Sequence, residues 1–202
     1  MNIVVGGCSF SSAFKVDEAY PFIISKDLKL GFINEAQIQA SNNRIWRVIT
    51  KHILNNTVVP TDKLIIQYTE QHRKEFWVPH RPTNYDDVHE KFDTGRLFRF
   101  KYGADHYAQQ QEVKLYHTIM RCSNAAYDKE CFEVNHAQFE GFLKHRGFES
   151  VVFVKTRYCD FTADYPVIDC DDILQQYSDD GWHLSQQGHI EVAQRLCKVI
   201  QS

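Results

Sequence analysis

The sequence predicts an α/β fold, a three-layer α/β/α sandwich around a mainly parallel central sheet. Short β-branched runs, in "NIVVG", "DKLIIQY" and "ESVVFVK", alternate with longer segments of helical apolar spacing. Such alternation marks a parallel sheet covered on both faces. The 202 residues suit one domain with a sizeable core, and no repeat, low-complexity run or linker divides them. The expected domain is 1–202, with an irregular insertion at about 70–106.

The first strand is expected over Ile3 to Val5, followed by a turn at Gly6 and Gly7. "EAYPFIISKDLKLG" then has helical spacing, with Pro21 near its first turn and Gly31 just beyond its end. "FIN" reads as a short strand leading to a polar loop. Ser41 or Asn42 can cap the next helix, whose Ile45, Trp46, Ile49, Ile53 and Leu54 are expected on one face. "DKLIIQY" is the third strand. Regular periodicity is lost from about Thr69 to Asp105. It returns as helical patterning over about 107–124 and again over about 135–145, the second stretch ending in a glycine stop. "ESVVFVK" is another buried strand, and "YPVID" a short last one. An amphipathic helix from Ser185 closes the sequence.

Bulk properties exclude several classes of function. A formal charge of −3 gives no reason to expect nucleic acid as a partner. No apolar run reaches the length of a membrane span, and the N-terminus lacks the pattern of an export signal, so the expected location is cytoplasmic. The six cysteines (8, 122, 131, 159, 170 and 197) lack C-x-x-C spacing and read as reduced thiols, mostly filling the core. Ten histidines raise the question of a metal, but H-E-x-x-H is absent, and neither a metal nor another cofactor is expected.

Chemistry is concentrated in two short stretches. "GGCSFSS" sits at the exit of the first strand, where open α/β sheets place their ligands. Cys8 or Ser9 could be a nucleophile there, while Ser9, Ser11 or Ser12 could instead cap the next helix. The second stretch is "DDGWHLS", just before the last helix, in which Asp180 and His183 stand three apart in an irregular turn. A serine hydroxyl is a poor nucleophile until an imidazole accepts its proton, and a carboxylate orients that imidazole. Ser9, His183 and Asp180 could supply these three parts.

With those residues the sequence resembles the SGNH (GDSL-like) hydrolase family. The resemblance rests on "GGCSFS" and "DGWHLS", separated by an α/β pattern of suitable length, and covers nearly the whole chain in element order. It is strongest to the branch whose nucleophile motif reads G-C-S-F with a downstream S-N-x-R-I, here Gly7-Cys8-Ser9-Phe10 and Ser41-Asn42-Asn43-Arg44-Ile45. The resemblance implies an SGNH/flavodoxin-like fold, with Ser9 as nucleophile, His183 as general base and Asp180 as its orienting carboxylate. Two departures accompany it. The family's oxyanion glycine falls at Gln39, with Ala40 next, and "QYTEQHR" replaces its G-x-N-D. Candidate oxyanion donors are therefore Ser9 N–H, the backbone near Gln39 and Ala40, and the side chain of Asn42 or Thr69.

Within the irregular stretch, aromatics and arginines could form a lid over a sugar or an anionic acyl donor, or simply pack the loop onto the domain. Arg73, directly after the third strand's exit, is the preferred binding candidate there. The expected activity is that of a serine esterase acting on a small ester, with an O-acetylated glycan among the candidate substrates. An acyltransferase using the same triad is one alternative, and a binding module of the same fold with weak catalysis is another. The expected partner is that small-molecule ester or glycan, without nucleic acid or membrane, and the sequence leaves the oligomeric state open.

Overall fold

The computed structural model describes residues 1–12, 18–37, 40–71, 124–157, 159–178 and 183–201. Five parallel strands form one sheet: β1 (Asn2–Gly6), β2 (Gly31–Asn34), β3 (Lys63–Gln67), β4 (Val151–Lys155) and β5 (Val167–Asp169). Their order across the sheet is β2-β1-β3-β4-β5. The central strands carry unbroken apolar runs, and Ile3–Val5, Leu64–Ile66 and Val151–Val154 are buried. That is the expected signature of strands covered on both faces. The edge strand β2 is largely exposed, in keeping with its shorter and more polar sequence.

Helices α1 (Tyr20–Leu28), α2 (Asn42–Leu54), α3 (Ala125–His145), α4 (Asp171–Gln176) and α5 (Gln186–Gln201) complete the described elements. α1 and α5 pack together on one face, where the rings of Tyr20 and His189 stack 6.0 Å apart. α2 and α3 cover the other, joined by Trp46 and Phe132 at 5.6 Å. This is the arrangement that right-handed crossovers produce when the strand order reverses at β1. The three-layer α/β/α expectation is thus met.

Several element boundaries differ from the sequence reading, each for a physical reason. α1 does not stop at Gly31; Lys29 takes the left-handed turn at φ 53°, and its N–H caps Lys26 O. Gly31 instead opens β2, where any side chain would run into Asn2. Leu54 is 58% exposed and does not share the buried face of α2. At about 3.6 residues per turn, the nine residues from Ile45 to Leu54 make about two and a half turns, so the two lie on opposite sides. Val48 takes the buried place.

α3 begins about ten residues before the expected 135, capped by Asn124 Oδ1, which accepts from Ala126 N at 2.9 Å. Its early turns escape the pattern because Tyr127 and Val134 are exposed and Phe132 is their main core anchor. The glycine stop is real: Gly147 has φ 77°, and Phe148 N–H closes on Leu143 O at 3.0 Å. α4 was not expected, since six residues are too few to show a period. Nearly all of the helical patterning at 107–124 and of the irregular insertion at 70–106 lies outside the described residues.

Candidate active site

The turn after β1 is built by close approach. Gly7 has no positive φ, yet a Cβ there would sit 2.5 Å from Ser11 Oγ and 3.1 Å from Gln67 Oε1. Space, not backbone freedom, requires glycine. The turn closes with Ser11 N–H on Cys8 O at 3.1 Å and Ser12 Oγ donating to Ser9 O at 3.2 Å. Ser9 is half-buried on this turn, and Ser11 is fully buried. None of the three serines caps α1, whose N-cap is Ala19 without a side-chain bond.

One buried side chain, Gln67 at the end of β3, gathers the turn. Its Oε1 accepts from Cys8 N at 3.0 Å, from Cys8 Sγ at 3.2 Å and from Ser11 Oγ at 3.1 Å, while its Nε2 donates to Tyr68 O. With Ser11 Oγ donating to Gln67, the Tyr20 hydroxyl donates to Ser11 Oγ at 2.6 Å. The Cys8 thiol is therefore buried and occupied beneath the turn. Among the described residues, the Ser9 N–H and hydroxyl take no part in this network.

The S-N-x-R-I segment ties the neighbouring strand exits to α2. Ser41 Oγ caps the helix by accepting from Arg44 N at 3.2 Å. Asn42 grips the backbone of Thr69 at both ends, donating to Thr69 O at 3.1 Å and accepting from Thr69 N at 2.8 Å. Arg44 Nη1 donates to Glu35 O at 2.8 Å, and Ile45 packs where Gly6 leaves room. The loop after β2 is in turn sewn to β1, with Gln37 N–H on Gly7 O at 3.1 Å. Ala40 is buried, and its N–H donates to Gln37 O at 3.0 Å. The Thr69 hydroxyl has no described hydrogen-bond partner.

His183 stands three residues before α5. The first turns of that helix are fixed to the start of α1 and the segment before it: Gln186 Nε2 donates to Glu18 O at 3.0 Å, and Tyr20 N–H donates to His189 Nδ1 at 3.2 Å. The other end of α5 lies at the start of β3, where Lys63 Nζ donates to Ile200 O at 3.1 Å. α5 thus runs against the strand direction, and its beginning, with His183, lies at the same end of the sheet as Ser9. That end is also where strand order reverses, between β1 and β3, the crevice in which open α/β sheets bind ligands. No hydrogen bond joins Ser9 to His183 among the described residues. Asp180, Gln39 and Arg73 lie outside the described residues.

Buried polar groups around this end are held neutral. Burial pushes His189 down to about 4 and raises the Tyr20 phenol. Beneath Thr69, Trp46 Nε1 donates to Tyr68 Oη at 2.9 Å, and that hydroxyl pairs with His136 Nδ1 at 3.0 Å. His136 Nε2 then reaches Thr162 O at 3.0 Å. A carbonyl can only accept, so Nε2 carries the proton and Tyr68 donates to Nδ1. Burial lowers His136 despite the nearby Glu140, and it raises Tyr68. Sequence reasoning missed Gln67, Tyr20 and His189; the one visible signal was a polar residue ending the otherwise apolar strand "KLIIQ".

Cys8, Cys131, Cys159, Cys170 and Cys197 all carry free thiols, and burial pushes Cys159 and Cys170 up to about 12. Among the described residues no group of three metal-ligating side chains forms, and no helix is long and apolar enough to cross a membrane.

No family profile matches the chain, and no curated protein matches it in sequence. Solved structures do resemble it in fold. The lipase/acylhydrolase from Enterococcus faecalis is 13% identical over 99% of this chain and 95% of its own, with a TM-score of 0.52. A psychrotrophic esterase from Pseudoalteromonas sp. is 7% identical over 99% of this chain and 96% of its own, at 0.56. A putative lipolytic protein of G-D-S-L family from Desulfitobacterium hafniense is 9% identical over 98% of each chain, at 0.52. The five-stranded parallel sheet with its flanking helices is the fold these proteins share.

Proposed function

We propose that the protein is a serine hydrolase of the SGNH (GDSL-like) type that cleaves a small ester through an acyl-enzyme on Ser9. One observation carries the reading: a half-buried serine, whose N–H and hydroxyl stay out of the hydrogen bonds that lock its turn, stands at the β1/β3 reversal with His183 at the same end of the sheet. In this reading His183 takes the proton from Ser9 Oγ as the oxygen attacks the ester carbonyl. The imidazolium then protonates the departing alkoxide, and His183 next activates the water that releases the acid. Asp180 orients the imidazole and stabilises its cation. Ser9 N–H is the leading oxyanion donor, and the Thr69 hydroxyl is the side-chain candidate. Arg73 and the backbone at Gln39 remain candidates for substrate contact. The fold neighbours support the class: one is an esterase inhibited by monoethylphosphonate, a phosphorus reagent of the kind that traps an ester-cleaving site. A small ester, including an O-acetylated glycan, is the substrate class tested first.

A fluorophosphonate probe with an ester panel tests the assignment. Ser9→Ala abolishes labelling and turnover, whereas Cys8→Ala retains labelling. Loss of His183 costs most of the activity, and the Ser9/His183 double variant is little worse than either single one. Labelling that survives in Ser9→Ala removes the assignment.

A second reading has its own support. Ala40 N–H and the Asn42 carboxamide, two candidate oxyanion donors, are engaged with Gln37 O and Thr69. A module of this fold with slow turnover would tolerate that loss. An acyltransferase shares the first half-reaction, and product analysis with a sugar or alcohol acceptor separates it from the hydrolase.

A further inference from the structure

We infer that Gln67 is the positioning residue of the nucleophile turn, a role that rests on the assignment of Ser9 given above. Its carboxamide orientation is fixed by its neighbours. Cys8 N–H can only donate and Tyr68 C=O can only accept, so Oε1 must face the turn and Nε2 the strand. One oxygen therefore holds both ends of the Cys8–Ser11 turn, at the backbone of Cys8 and the hydroxyl of Ser11. Ser9 lies between these two anchors and bonds to neither.

The support continues behind the anchor. Tyr20 Oη presses on Ser11 Oγ at 2.6 Å, and Tyr20's own backbone N–H is tied to His189 on α5. A line of hydrogen bonds and one residue's backbone thus runs from Gln67 through the Ser9 turn to the helix that follows His183. Gln67 is 1% exposed and lies outside the substrate's reach, so it acts through the turn alone. Displacing a reacting group by about 1 Å can cost about 100-fold in rate.

The experiment compares fluorophosphonate labelling of Ser9 in wild type, Ser9→Ala, Gln67→Leu and Gln67→Glu, with thermal unfolding of each. Gln67→Leu keeps the apolar bulk but offers Cys8 N–H and Ser11 Oγ no acceptor. Its labelling is expected to slow about 100-fold, with ester kcat falling and KM nearly unchanged. Gln67→Glu is the rescue. Its protonated acid offers the same acceptor to the turn and one O–H to Tyr68 O, whereas the ionised form sets lone pairs against that carbonyl.

A carboxyl as buried as the Gln67 side chain stays protonated well above the usual carboxylate range. The ratio of Gln67→Glu to wild-type labelling is therefore expected near one at pH 6 and to fall as pH rises towards 9. A merely structural residue gives no such pH dependence at constant folded fraction. Wild-type rates in folded Gln67→Leu overturn the positioning role while Ser9 stands. If Gln67→Leu does not fold, a flat ratio for Gln67→Glu overturns it instead. An unlabelled wild type, or a labelled Ser9→Ala, removes the Ser9 assignment and this inference with it.

Discussion

Gly7 shows how strictly a single residue is specified here. A methyl group at this position meets Ser11 Oγ at 2.5 Å and Ser11 Cβ at 2.8 Å, and that hydroxyl is already held by Gln67 and Tyr20. Relief requires moving the turn. Overpacking of this kind typically costs about 1–3 kcal/mol. Gly7→Ala is therefore expected to lower the unfolding midpoint and to slow phosphonate labelling of Ser9 together. A variant as stable and as reactive as wild type would mean that the turn yields without consequence. The residue types at this turn were legible in the sequence because Gly-Gly before Cys-Ser is chemically unusual. Gln67 was not, because its partners Cys8 and Ser11 lie 59 and 56 positions away.

At the level of elements, the first turn of α2 acts as a clamp across three strand exits. Asn42 holds the chain after β3, Arg44 holds the loop after β2, and Ile45 fills the space over Gly6 in β1. Asn42→Ala leaves Thr69 N–H and C=O without that partner in a buried place, at about 1–3 kcal/mol for each group left unsatisfied. Thr69→Val keeps the backbone clamp and removes only the hydroxyl. Denaturant unfolding should thus show Asn42→Ala strongly destabilised and Thr69→Val close to wild type. Ester kinetics then isolate the hydroxyl: a fall in kcat of tenfold or more in Thr69→Val places it at the oxyanion. The helix start was readable from Ser41, but the clamp was not, since a polar residue at a helix N-terminus looks the same whether it caps or reaches across. Boundaries failed where apolar periodicity was thin, as in the first ten residues of α3.

Across the whole molecule, the two buried histidines shape how stability responds to acid. His189, 1% exposed, accepts a backbone N–H at Nδ1, and burial holds it at about 4. An unfolded chain has this group near 6.5. Above about 6.5 both states are neutral there and the contribution is complete. As pH falls from about 6.5 towards 4, the unfolded chain takes up a proton that the folded one refuses, and stability is lost. His189 alone accounts for about 3 kcal/mol over that window, and His136 acts in the same direction. Urea unfolding at several pH values should show this acid limb, and His189→Asn, which keeps an acceptor for Tyr20 N–H, should flatten it. An unchanged slope in that variant would assign the limb to other groups. The parallel architecture was legible from three apolar runs and their spacing. The buried histidines were hidden among the ten, because a lone histidine on a helix carries no mark of its surroundings.

The bottom edge of the sheet has a practical consequence of its own. Asn2 N–H is tied to Asp62 Oδ1 at 2.7 Å, and Ile200 O receives Lys63 Nζ. The first strand and the last helix are therefore moored to adjacent residues, at the edge farthest from Ser9. Anything tethered before Asn2 or after Ile200, whether a fused domain, an affinity handle or a solid support, leaves from that edge with the opposite rim directed outward. The same adjacency would let a short connection join Asn2 to Ile200, so a rearranged chain opened elsewhere on the surface would keep the Ser9 turn on its original framework.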